Sequence, residues 1–221
     1  MIFLYIFLSL CIGYLFGAFP TGVVLIRLLK RKNIRELGNK RPGAANIFRE
    51  ISPAWGIAVG LLDSVKAYAG VLAVILLGFP EYTFISASIA IMIGHNWSVF
   101  LRFKGGEGVA VSMGISVLFY PGVWGILIGV YFLFLLFWAL HIRPFYRYHM
   151  FNWQSVFFCA PLILWICGKG WITEYSGISF ETALLLSGVI ALTGLLKQIE
   201  LYGFTFLFKP SNFRNKYVKG D

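Results

Sequence analysis

From Phe3 to Leu28 the chain carries a single charged side chain, Arg27, and apolar runs of this kind recur along its length. A helix crossing the hydrocarbon core of a bilayer needs about 17 to 25 largely apolar residues. Inside lipid every backbone N–H and C=O must find its partner within the protein, so such runs become helices. Seven apolar segments follow in order: Phe3–Leu28, Ala54–Leu77, Thr83–Phe100, Val109–Tyr120, Val123–Leu140, Trp153–Cys167 and Ala183–Leu196. The fourth is short, which requires Gly108 or the Pro121-Gly122 turn to sit deep in the membrane. The composition agrees, with 59% of 221 residues hydrophobic, 18% aromatic and 13% charged, far from the balance of a soluble domain. The chain is therefore expected to be all-α and integral to the membrane. A seven-transmembrane-helix bundle is predicted, one polytopic membrane domain over residues 1–221.

Lys and Arg accumulate in short cytoplasmic connections. The stretch Arg27–Arg49 holds eight of them, Arg102 and Lys104 make two, Arg143 and Arg147 two, and the end of the chain from Lys197 five. These are alternate connections and carry 17 of the 19 basic residues, leaving Lys66 and Lys169. The pattern predicts the N-terminus outside and the C-terminus cytoplasmic. No Lys or Arg precedes Arg27 and no small-residue cleavage site closes the first run, so an uncleaved anchor is expected rather than a signal peptide. The net charge of +10 becomes a property of the cytoplasmic face, attractive to anionic lipid headgroups. Nucleic-acid binding is not expected, because no soluble domain is present to carry it. Cys11, Cys159 and Cys167 lie in apolar segments without metal-ligand spacing, which points to packing. No metal and no cofactor is implied, and no protein partner.

Two cytoplasmic glycine-rich loops, at residues 30–52 and 101–109, and a basic C-terminal tail from 197 concentrate the polar residues. Glycines let backbone N–H groups approach a phosphate, and neighbouring Arg and Lys supply charge-assisted hydrogen bonds. Asp63 and Lys66, three residues apart in the second span, share a helix face. Each costs ~2.5 to 3.5 kcal/mol at the bilayer centre, so they must face protein or water. Buried packing and the orienting of a loop or polar cleft are both open to them. His95 and Asn96 end the third span just before the second glycine loop, where His95 is a candidate functional group. His141 and His149 lie in a basic, aromatic stretch suited to interfacial anchoring. Gly13, Gly17 and Gly22, with Pro20, interrupt the first span and suit close helix packing. A bend is expected there, with neighbouring helices satisfying the freed carbonyl.

Neither loop matches the nucleotide-binding patterns G-x-x-x-x-G-K-[ST] or G-x-G-x-x-G, so nucleotide hydrolysis is not expected. The ordered motifs resemble those of the bacterial acyl-phosphate-dependent glycerol-3-phosphate acyltransferase (PlsY) family. G-A-F-P-T-G at Gly17–Gly22 is similar to its G-S-x-P-T-G. G-N-K-R-P-G-A-A-N-x-x-R at Gly38–Arg49 resembles its G-S-G-N-P-G-A-T-N-x-x-R, Asp63 with Lys66 its D-x-x-K-G, and Gly94–Ala110 its G-H-x-x-P-x-x-L-x-F-K-G-G-K-G-V-A. The family's closing H-x-x-N falls on Lys209–Asn212.

The resemblance implies transfer of a fatty acyl group from acyl phosphate to glycerol 3-phosphate, forming lysophosphatidic acid in a bacterial cell (inner) membrane. Acyl phosphate, glycerol 3-phosphate and membrane lipids are then the partners. Asn39, Lys40, Arg41, Gly43, Asn46, Arg49, Lys104, Gly105 and Gly106 are the implied phosphate-binding set. His95 and Asn212 are the implied catalytic residues, with Asp63 and Lys66 structural or orienting. Acyl phosphate is an activated donor, so positioning and charge stabilisation can carry catalysis without a protein nucleophile. The chain departs from the family at Asn39, Lys40, Arg41 and Ala45, at Glu107 where the family has Lys, at Val111, and at Lys209 where it has His. Glu107 reverses a charge beside a phosphate, for which Lys40, Arg41 and Lys209 are the available compensation. A relative with another acyl donor or acceptor, and one that binds such lipids without catalysis, are the alternatives within the fold. A transporter would want two matching halves with broken spans, which the sequence does not show.

Overall fold

The structure is a computed structural model that describes residues 1–119 and 180–202. Its helices are α1 (Ile2–Ala18), α2 (Thr21–Lys30), α3 (Ala44–Glu50), α4 (Pro53–Leu76), α5 (Tyr82–Asn96), α6 (Val109–Phe119) and α7 (Phe180–Tyr202). Three stretches among the described residues are long and apolar enough to cross a membrane: Ile2–Lys30, Pro53–Leu76 and Tyr82–Leu101. The segments Val123–Leu140 and Trp153–Cys167, the end of the fourth at Tyr120, and the cysteines Cys159 and Cys167 lie outside the described residues, as do His141, His149, Lys209 and Asn212.

Four boundaries differ from those expected of the sequence. The first apolar segment is two helices, because Pro20 has no N–H to donate and its ring restricts Phe19 to an extended conformation, φ −57° and ψ 122°. Two carbonyls at the break are taken by neighbouring elements. Ala18 O accepts from Ser98 Oγ at 2.5 Å and Phe19 O from Lys66 Nζ at 2.8 Å. The third segment leaves its helix at Asn96 and closes in a 3₁₀ turn, Val99–Leu101. The first glycine loop contains a 3₁₀ turn, Ile34–Glu36, and α3. Lys197, expected at the start of a tail, lies inside α7, which runs on to Tyr202.

Small residues set the packing. A Cβ on Gly13 or Gly17 would overlap the backbone of Ala87 or Ile91, so α1 lies directly on α5. Ser9 and Ser86 hydrogen-bond across the same interface at 2.6 Å. Gly114 lets α6 meet the backbone of Ser64, whose hydroxyl donates to Ala110 O at 2.7 Å. The outward faces stay apolar, with Phe3, Phe7, Leu15, Leu61, Val65 and Leu76 all exposed as lipid-facing residues should be. A second core fastens the first loop to the bundle, where Ile26 of α2, Ile34, Ile47 of α3 and Val59 of α4 are buried together. Ser52 caps α4, accepting from Trp55 N–H at 3.4 Å, and Pro53 stands at the first turn where a missing N–H costs nothing.

Candidate functional site

A small cleft opens beside the break between α1 and α2. Gly17 to Gly22 form one wall, Pro42 of the first glycine loop and Gly106 of the second reach it, and Asp63, Lys66, His95, Ser98 and Leu101 complete it. Motifs far apart in the chain, from Gly17 to Gly106, thus share one opening.

Lys66 is its hub. Its Nζ lies 2.8 Å from Asp63 Oδ1, 2.8 Å from Phe19 O and 3.2 Å from His95 Nδ1. An ammonium has three donors and no acceptor, so it donates to Phe19 O and to His95 Nδ1 together. The Asp63 contact is an ion pair set off the hydrogen-bonding direction, since Asp63 Oδ1 has no aligned donor. Both side chains are nearly inaccessible, and pairing is what makes such burial tolerable. Because Lys66 can only donate, His95 Nδ1 must accept, which puts the ring proton on Nε2. Nε2 points at Gly106, where a Cβ would strike the ring. His95 therefore presents an N–H donor, not a free base, toward the second glycine loop.

That loop is docked through its own backbone. Gly105 N–H donates to Asn96 O at 3.2 Å and Gly106 N–H to His95 O at 3.0 Å. Those two N–H groups, expected to cradle a phosphate, are spent on α5. The Asn96 side chain is buried against Gly108, and neither of its amide atoms has a partner among the described residues.

The first loop folds around Asn46, which is buried at the start of α3. Its Nδ2 faces the carbonyls of Ile34, Leu37 and Arg41 at 3.4, 3.1 and 2.9 Å, and its Oδ1 accepts from Asn39 N–H at 3.2 Å. Asn46 holds the loop rather than offering its amide to a ligand. The Asn39 side chain also turns inward and accepts from Arg41 N–H at 3.2 Å. Gly43 caps α3 with its carbonyl, which takes the N–H groups of Asn46 and Ile47. Lys40, at φ 61°, Arg49 and Lys104 are exposed.

The two loops are joined by Arg41, whose guanidinium pairs with Glu107, both side chains largely buried. The family departures at these two positions are thus complementary, and the carboxylate at 107 is neutralised by the guanidinium at 41. A third pair, Lys197 with Glu200 on α7, stands nearby beside Trp97. Sequence reasoning missed the Arg41–Glu107 contact, Lys197, Glu200 and the two carbonyls of the break. Opposite charges at two substituted motif positions were the available signal for the first.

Residues 7–200 match the family described as Glycerol-3-phosphate acyltransferase; Asn212 lies beyond that match. The chain is 36% identical over 116 residues to a glycerol-3-phosphate acyltransferase of Desulforudis audaxviator, covering 52% of this chain and 58% of that protein. It is 34% identical over 210 residues to one from Aster yellows witches'-broom phytoplasma, covering 84% and 89%. The fold is similar to the crystal structure of PlsY (YgiH), an integral membrane glycerol 3-phosphate acyltransferase in its glycerol 3-phosphate form. The TM-score is 0.61 at 21% identity, over 92% of this chain and 99% of that one.

Proposed function

This chain belongs to the glycerol-3-phosphate acyltransferase family, and from that premise we propose that it moves a fatty acyl group from acyl phosphate to the 1-hydroxyl of glycerol 3-phosphate. The hydroxyl oxygen bonds to the acyl carbon, the bond from that carbon to the phosphate oxygen breaks, and the hydroxyl proton ends in solution or on the released phosphate. The products are lysophosphatidic acid and inorganic phosphate.

One observation carries the reading: the family-like motifs meet at a single cleft beside the Phe19-Pro20 break. There the His95 Nε2–H is a preorganised donor for the oxygen that gains charge as the acyl carbonyl is attacked. Asp63 and Lys66 hold the imidazole in that tautomer. Lys40, Arg49 and Lys104, exposed on the two glycine-rich segments, are the cations that attract the phosphates in this reading, and Arg41, Lys66 and Lys197 each pair with a carboxylate. Asn39, Arg41, Gly43, Asn46, Gly105 and Gly106 shape the loops that present them. Asn212 belongs to the reading as a catalytic candidate on family resemblance alone. The substrates enter from the cytoplasm, with the N-terminus outside, seven spans, a cytoplasmic C-terminus and a location in the bacterial inner membrane, supported by the alternation of basic loops.

Purified protein supplied with acyl phosphate and labelled glycerol 3-phosphate tests this. Labelled lysophosphatidic acid is the expected product. Its absence, with glycerol 3-phosphate still raising the thermal midpoint, would replace the enzyme by a lipid-phosphate binder of the same fold.

A further inference from the structure

We propose that Lys197 and Glu200 form a positioning pair for the acyl-transfer site, acting through Trp97; the inference rests on the acyltransferase reading. Lys197 is 1% exposed, and its Nζ lies 3.1 and 3.3 Å from the two Glu200 carboxylate oxygens. The same ammonium sits over the Trp97 ring, 5.0 Å from its centroid, within cation–π range. Glu200 Oε2 accepts from the indole N–H at 2.5 Å. The indole is held at its face by the cation and at its edge by the anion.

Trp97 occupies the turn where the cleft is assembled. The two residues before it, His95 and Asn96, accept the N–H groups that dock the second glycine loop, and His95 presents its ring to the cleft. Ser98, directly after, holds the open carbonyl of Ala18. The Trp97 carbonyl itself accepts from Tyr14 Oη at 2.9 Å, tying the turn to α1. Lys197 stands on α7, which packs against α5, the helix that carries His95 and Asn96. Burying an ammonium is costly unless it is paired, and an apolar side chain of similar length would fill the same space. What the buried ammonium holds in place here is the Trp97 ring and the Glu200 carboxylate that binds its N–H.

The test uses the full chain in detergent with acyl phosphate and glycerol 3-phosphate. Lys197→Met is expected to lower kcat about tenfold, as small misplacements of reacting groups do, with KM for glycerol 3-phosphate within about threefold of wild type. Lys197→Arg, which keeps the charge, recovers most of the loss. Trp97→Phe, which lacks the indole N–H, lowers kcat similarly, and the double variant Lys197→Met/Trp97→Phe is no slower than the slower single. Wild-type kcat in Lys197→Met, failure of Arg to rescue, or losses that multiply in the double variant would overturn the proposal. Should Lys197→Met not fold, Glu200→Gln is expected to lower kcat with KM unchanged, and wild-type kcat there overturns it equally. A wild-type protein without turnover would instead remove the acyltransferase reading and this inference with it.

Discussion

At the scale of residues, Lys66 concentrates the chemistry of the cleft. It neutralises Asp63, closes the carbonyl of Phe19 and sets the tautomer of His95. Lys66→Met leaves Asp63 buried without its counter-ion, a loss of about 3–5 kcal/mol for a buried pair. The expected outcome is a clearly lowered thermal midpoint in detergent; an unchanged midpoint would show that Asp63 finds other compensation. Three-residue spacing made the Asp63–Lys66 pair legible in the sequence. The contacts to Phe19 and His95 were not, because they join positions 47 and 29 residues apart and depend on how helices pack. Asn46 teaches the converse. Its place in a glycine-rich, basic loop reads as ligand binding, whereas its amide is consumed by four backbone partners that only the folded loop brings together.

At the scale of elements, the Arg41–Glu107 bridge decides how the two glycine loops face one another. Reversing either charge alone places like charges in contact, and reversing both restores attraction. Arg41→Glu and Glu107→Arg are each expected to reduce kcat/KM for glycerol 3-phosphate, and the double reversal to recover much of it. Contacting pairs show coupling of about 0.5–3 kcal/mol in such cycles. Additive losses would mean that the bridge does not join the loops functionally. The bend in the first span was legible too, since Pro20 among glycines has few other outcomes, and two of the carbonyls at the bend meet Ser98 and Lys66. The role of the second loop's glycines was legible only in part. A glycine run says that backbone comes close to something, and here that something includes the His95 and Asn96 carbonyls and the imidazole face.

At the scale of the whole molecule, apolar composition by itself makes the helical membrane architecture plain, and close glycine contacts explain how α1, α5, α4 and α6 assemble. Topology is a matter of charge distribution. In a background with Cys11, Cys159 and Cys167 replaced by Ser, a cysteine at Lys32 is expected to resist a membrane-impermeant maleimide in intact spheroplasts, while one at Glu81 is labelled. The opposite pattern would invert the orientation and put the cleft on the wrong face for a cytoplasmic phosphate substrate. In the proposed reaction the acyl group moves at the cleft beside Phe19-Pro20, with His95 Nε2–H as donor to the developing charge. The most direct measurement is steady-state transfer by His95→Ala beside wild type, at equal folded protein. Loss of a preorganised donor of this kind lowers kcat about 10²–10³-fold, and that is the predicted result; a His95→Ala protein that turns over like wild type would contradict the account.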